Sequence, residues 1–143
     1  MAEESEIKFF TSEAELDALC RAFEEARIPR ECWLHREHVA VATLFLLQQR
    51  GIDDIRSGIQ KLNAANGVET TPVMGYHETI TRFWAHLIGH RLTTLEGSRL
   101  EKVNAVLTEF SRKMMLFDYY SYDRAMSVEA RATWVEPDLK SLP

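Results

Sequence analysis

Two short stretches of the sequence concentrate the side chains that carry acid–base and metal chemistry. Residues 33–38 read Trp-Leu-His-Arg-Glu-His, and residues 75–84 read Gly-Tyr-His-Glu-Thr-Ile-Thr-Arg-Phe-Trp. Imidazole changes its charge near neutral pH and is also the commonest metal-binding side chain. We therefore predict a candidate site where these two stretches meet.

Three histidines of these stretches, His35, His38 and His77, are the predicted metal ligands. His35 and His38 are three residues apart, so on a helix they lie on one face. His77 is in phase with Ile80 and Trp84, on the apolar face of its helix. Three imidazoles leave coordination positions open, which is typical of catalytic metal sites. The pattern predicts one transition metal ion (Fe, Zn or Cu), since nitrogen ligands alone do not select among these metals.

Three further residues complete the predicted active site. Glu78 could be a fourth ligand, an acceptor that orients an imidazole, or the general base for a metal-bound water. Tyr76 or Tyr119 would donate a hydrogen bond to a substrate oxygen, and the loop 67–76 would form one wall. The predicted function is a metal-dependent enzyme acting on a small organic molecule, which the positive helix starts would favour as an anion. Hydrolysis and O2-dependent oxidation are both open.

Five helices are predicted to position these residues. Ser12 and Glu15 form a capping box before the first helix. The second helix is apolar nearly all round at 39–47, so it should be the most buried one. The predicted helices span 13–27, 35–50, 53–66, 77–91 and 97–117.

The order of these helices suggests that the candidate residues meet at one end of a bundle. Short connections make consecutive helices antiparallel neighbours. The second and fourth helices would then begin where the first and fifth end. We predict an all-α fold, a single-domain bundle of about five helices over 1–143. Residues 1–10 would be a flexible tail, with one helical turn at 128–132 and an extended tail at 134–139.

Composition excludes two classes of partner. The chain has 143 residues and a formal net charge of -5 without a basic cluster, which argues against nucleic-acid binding. The longest apolar run is too short for the roughly 20 residues of a membrane span. The acidic first residues do not resemble a signal peptide, and Cys20 and Cys32 form no CxxC motif. We expect a cytoplasmic protein in which both cysteines are reduced core thiols.

Other interpretations of the same residues stay open. Histidines at helix starts are often caps or surface residues, and the His-x-x-His spacing arises by chance. The same end of the bundle would then bind a ligand or partner without catalysis, or use His77 and Glu78 as a metal-independent acid–base pair. His86 and His90 lie opposite the apolar face and are predicted to be surface residues. The apolar stripe of the fifth helix could serve a homodimer.

The order of several motifs resembles a family of small bacterial proteins of unassigned function. The likeness covers about 30–143 and implies a shared fold and site, but it brings no known reaction. A looser likeness is to DinB-like four-helix bundles, which hold a metal with three histidines from different helices. The chain lacks their His-x-x-x-His on a late helix unless His86 and His90 take that part. The motifs that carry the family resemblance are W-x-H-x-x-H-x-A-x-A from Trp33, LNAANG from Leu62, GYHETIT from Gly75, YYS from Tyr119 and AR-x-x-WV-x-PDL from Ala130.

Overall fold

A computed structural model describes residues 7–143 of the chain. The predicted tail at 1–10 therefore lies mostly outside the described residues. Its last residue, Phe10, is buried, and its backbone N–H and carbonyl both bond to the side-chain amide of Asn104. The chain is thus fastened to the body from Phe10 onwards.

Eight α-helices form the described part of the chain, which contains no strand, so the all-α prediction is confirmed. Five of them are long and three are short. Two 3-10 turns, Arg30–Cys32 and Lys113–Met115, precede α2 and α6. The helices are α1 (Glu13–Glu24), α2 (His35–Leu47), α3 (Ile52–Ala65), α4 (Glu78–Leu92), α5 (Arg99–Phe110), α6 (Leu116–Tyr119), α7 (Tyr122–Ala125) and α8 (Val128–Ala132).

Helix α2 is the central element of the core, as its apolar middle predicts. All of its residues from Val39 to Phe45 are buried, because α1, α4 and α5 pack around it. Thr43 is tolerated there since its hydroxyl donates to the carbonyl of Val39, one turn earlier. No helix of the described residues is long and apolar enough to cross a membrane.

The neighbours of α2 do not all run in the expected direction. Helix α5 is antiparallel to α2, since its last residue, Phe110, contacts His35 at the start of α2. Helix α1 instead runs alongside α2 in the same direction: Glu15 lies 3.5 Å from Arg36, and Cys20 lies 3.9 Å from Gln48. The connection 25–34 makes this arrangement possible because it is long enough to return the chain to the start of α2.

Helix α4 begins beside the first turn of α3. The guanidinium of Arg56 bonds to the carboxylate of Glu78 at 2.6 and 2.9 Å. The loop 67–76 therefore carries the chain back along α3 instead of making a tight antiparallel turn. As a result, His35 meets Trp84 rather than His77, and seven residues of helix correspond to about 10 Å along the axis.

The fifth helix is shorter than predicted. It ends at Phe110, not at 117, and the backbone is extended at Arg112 before α6 begins. Apolar spacing continues across the break because Phe110 and Leu116 are both buried. The stripe proposed for a homodimer is used inside the chain, where Val103 and Leu107 are buried. The helical turn predicted at 128–132 is confirmed as α8.

Candidate functional site

His77 caps α4 and fastens α7 to it. Its Nδ1 accepts the backbone N–H of Ile80 at 3.1 Å, and its Nε2 donates to the carbonyl of Ala125 at 2.8 Å. Only the neutral ring protonated on Nε2 satisfies both bonds. Burial lowers the pKa of His77, and the nearby charge of Arg131 lowers it further. Both ring nitrogens are therefore occupied by the protein itself.

Glu78 is the centre of a buried ionic cluster. Its carboxylate accepts two bonds from Arg56 and one from the Tyr76 hydroxyl at 2.8 Å, and Arg82 lies 3.8 Å away. The Arg56 hydrogen bonds hold the pKa of Glu78 below its ordinary value. Burial raises the pKa of Tyr76 to about 12. A weakly basic carboxylate and a weakly acidic phenol are poorly matched to proton transfer at neutral pH.

Thr79 is the third residue of this stretch that joins distant parts of the chain. It is fully buried, and its hydroxyl donates to the carbonyl of Thr133 at 2.9 Å. The same oxygen accepts the N–H of Val135 at 3.1 Å. The first three residues after Tyr76 thus hold α7, α3 and the segment after α8.

His35 lies at the start of α2 and reaches across to the end of α5. Its Nε2 donates to the carbonyl of Phe110 at 2.8 Å, and its ring packs edge-on against Trp84. Burial lowers the pKa of His35, and the charge of Lys113 also lowers it. The bond satisfies the last exposed carbonyl of α5, which a helix end otherwise leaves free.

His38 is held by its own helix and by Trp33. Its Nδ1 donates to the carbonyl of Leu34 at 2.9 Å, and its ring lies 3.9 Å from the indole. Trp33 in turn stacks on Phe23 of the core. Burial lowers the pKa of His38 to about 4, with further contributions from His35 and Lys113. The ring is consequently neutral over the physiological range.

The structure places His35 and His38 near one another and His77 elsewhere. Among the described residues, no three His, Cys, Asp or Glu side chains are grouped so that they could hold a metal ion. His77 does not fit a ligand role in this conformation, because a metal would have to displace a hydrogen bond from one of its nitrogens. His35 and His38 each use one nitrogen in the contacts described above.

The remaining candidates also have structural contacts. Tyr76 is buried on Glu78, and Tyr119 is half-buried with its ring against Phe83. His86 and His90 are exposed, as predicted. Both cysteines are free, and Cys20 is buried, but Cys32 is exposed and is therefore not the core thiol that we predicted.

Sequence analysis did not identify Arg56 and Thr79, and Arg131, which donates to the carbonyl of Gly75, was also missed. One signal for Thr79 was present in the sequence. It lies four residues before Phe83, so its hydroxyl falls on the apolar face of α4 and needs a partner there. The partners of Arg56 and Arg131 are 22 and 56 residues away and leave no local pattern.

Two surface cavities lie away from all of these residues. One, of about 420 Å³, is lined by α1 together with Gln48 and Arg99. The other, of about 180 Å³, lies between α1 and α3 over Phe23 and Phe45. Comparisons with protein-family models, curated proteins and solved structures give no match.

Proposed function

We propose that this protein acts without catalysis, as a helical module that binds another protein. The candidate catalytic side chains support this proposal because they are engaged in holding the fold together. His77, Glu78 and Thr79 each bond to a different segment of the chain. A group that must change protonation or bind a ligand would have to give up these bonds first.

The observation that carries the proposal is a group of exposed apolar side chains on the far side of the same fastenings. We call it the Met-rich surface. Its members are between 36% and 70% exposed. They are Val73, Met74, Tyr122, Met126 and Val128.

Hydrogen bonds bring the backbone segments of the Met-rich surface together. Arg131 of α8 donates to the carbonyl of Gly75, next to Met74. His77 donates to the carbonyl of Ala125, next to Met126. The loop 67–76 and helices α7 and α8 are therefore neighbours, although they are about 50 residues apart in sequence.

The residue types of this surface suit a protein partner. Apolar side chains that are exposed together mark interaction sites more often than isolated ones do. Methionine is flexible and polarizable, so it adapts to apolar partners of different shape. Tyrosine and methionine are enriched in the centres of protein interfaces.

A random peptide library displayed on phage tests this proposal. Panning against the wild type should enrich apolar peptides, and the double variant Met126→Gln/Val128→Ser should not retain them. The matched control is Phe9→Ser/Leu139→Ser, which removes two exposed apolar side chains outside the surface. Enrichment that is equal on the wild type and the Met126→Gln/Val128→Ser variant, or no enrichment at all, would exclude the proposal.

The metal-dependent enzyme stays a second proposal, and one observation favours it. His35 donates through Nε2 and His38 through Nδ1, which leaves the second nitrogen of each ring as a potential ligand atom. Elemental analysis of the wild type and of His35→Ala/His38→Ala separates the two proposals. About one transition metal per chain, lost in the variant, would support the enzyme; the binding module should carry far less in both.

A further inference from the structure

We propose that the Met-rich surface binds a basic amphipathic helix of a partner protein. This inference rests on the proposed function and adds the chemistry of the partner. It is carried by the charges that border the surface, which the apolar side chains alone do not specify.

Three exposed carboxylates lie beside the apolar members of the surface. Asp123 follows Tyr122 on α7, and Glu129 follows Val128 on α8. Glu69 lies at the other edge, since a Cβ added at Gly75 would be 2.5 Å from its carbonyl oxygen. The surface is thus apolar in its centre and acidic at several points of its border.

These three carboxylates are free to meet a cationic partner. The ion pairs within the described part of the chain do not include Glu69, Asp123 or Glu129. The two neighbouring arginines are already engaged with backbone carbonyls, Arg124 with Glu136 and Arg131 with Gly75. The net charge of -5 adds a favourable long-range field for a basic segment.

A helix is the form of partner that fits this arrangement. An amphipathic helix presents an apolar stripe with basic side chains on either side, which matches an apolar centre with an acidic border. An extended strand would need a free sheet edge, and the described residues contain no strand. A phosphorylated or otherwise acidic segment would be repelled by the same border.

The test uses three fluorescein-labelled peptides of 18 residues in an anisotropy titration. One is a Lys/Leu amphipathic helix, the second has Glu in place of every Lys, and the third is a scrambled Lys/Leu sequence without an apolar face. We expect the wild type to bind the Lys/Leu helix at least about tenfold more tightly than either of the others. The preference should weaken as salt is added, because the charges are exposed.

Two variants of equal charge change locate the effect. Glu69→Gln/Asp123→Asn/Glu129→Gln should bind the Lys/Leu and Glu/Leu helices with similar affinity. Glu25→Gln/Glu31→Gln/Glu96→Gln, which neutralises three exposed carboxylates elsewhere, should keep the preference of the wild type. Circular dichroism on each variant checks that the fold is retained.

The outcomes separate this inference from the proposed function. Equal binding of the Lys/Leu and Glu/Leu helices by the wild type would overturn the basic partner, while phage enrichment would still support a binding module. Loss of the preference in both triple variants would also overturn it, because net charge rather than the acidic border would then be responsible. Failure of all three peptides to bind would overturn the inference as well, and the phage library would decide the function on its own.

Discussion

The starts of α2 and α4 have similar composition but different roles in the fold. Each begins with histidine, carries a glutamate in its first turn and lies beside a tryptophan. At α4 the polar groups are buried and each fastens a remote segment. At α2 they are half-buried, and of the two histidines only His35 reaches another helix. Residue types therefore identify where polar chemistry is concentrated, whereas burial and partners decide what that chemistry does.

Glu78→Gln should produce the largest difference between the two helix starts. It removes the charge that pairs with Arg56 inside the protein, and breaking such a pair costs about 3 kcal/mol when the partner is partly exposed. Glu37→Gln is the matched change in α2, where the carboxylate caps Leu34 and pairs with its neighbour Arg36. There we expect a loss of about 0.5–1 kcal/mol. Urea denaturation at neutral pH measures both.

The pH dependence of the same pair provides an independent check. The pKa of Glu78 is lowered in the folded protein, so the unfolded state binds the proton more readily. Its contribution to stability is present above the unfolded value of 4.5 and is lost as the pH falls through the lower folded pKa. The Glu78→Gln variant should lack this acid-dependent loss. Equal slopes of stability against pH in wild type and variant would contradict the ionic role of Glu78.

Thr79→Val should have the next largest effect. The substitution keeps the volume but leaves the carbonyl of Thr133 and the N–H of Val135 without their buried partner, which costs about 2 kcal/mol. Thr43→Val is the control, because Thr43 is equally buried but bonds only within its own helix. We expect less than about 0.5 kcal/mol there. Similar losses at the two sites would show that burial alone, and not the link to the last segment, determines the cost.

The fold class could be predicted from the sequence because helix formation depends on local patterns. The starts of α1 and α2 follow from Ser12 and from the apolar run after His35, and the short α8 follows from Ser127. The break after Phe110 could not be predicted, since apolar residues continue at helical spacing through Phe117. Two successive helices that bury the same side produce the same pattern as one long helix.

The relative positions of the helices were beyond the same reasoning. The idea that His35, His38 and His77 meet depended on α3 and α4 being a simple antiparallel pair. The loop 67–76 is long enough to return the chain to Arg56, and its sequence does not say whether it does. The location of the polar stretches was therefore predictable, but their partners 22 to 75 residues away were not.

The smallest expected effect concerns the ring of His38, which NMR can follow without any substitution. Since burial lowers its pKa to about 4, the ring should stay neutral down to acidic pH, with the proton on Nδ1. The unfolded chain takes up this proton near 6.5, so stability should decrease as the pH falls from there towards about 4.

Removing the aromatic cover gives the contrast with the start of α4. Trp33→Leu opens the side of the His38 ring that faces the indole, and the midpoint of His38 should move back towards 6.5. The ring of His77 has no contact with Trp33 and should titrate as in the wild type, with its proton on Nε2. Opposite ring tautomers at the two helix starts would show that one histidine is held by its own helix and the other by a distant segment. The same tautomer in both would contradict the bonds assigned to one of them.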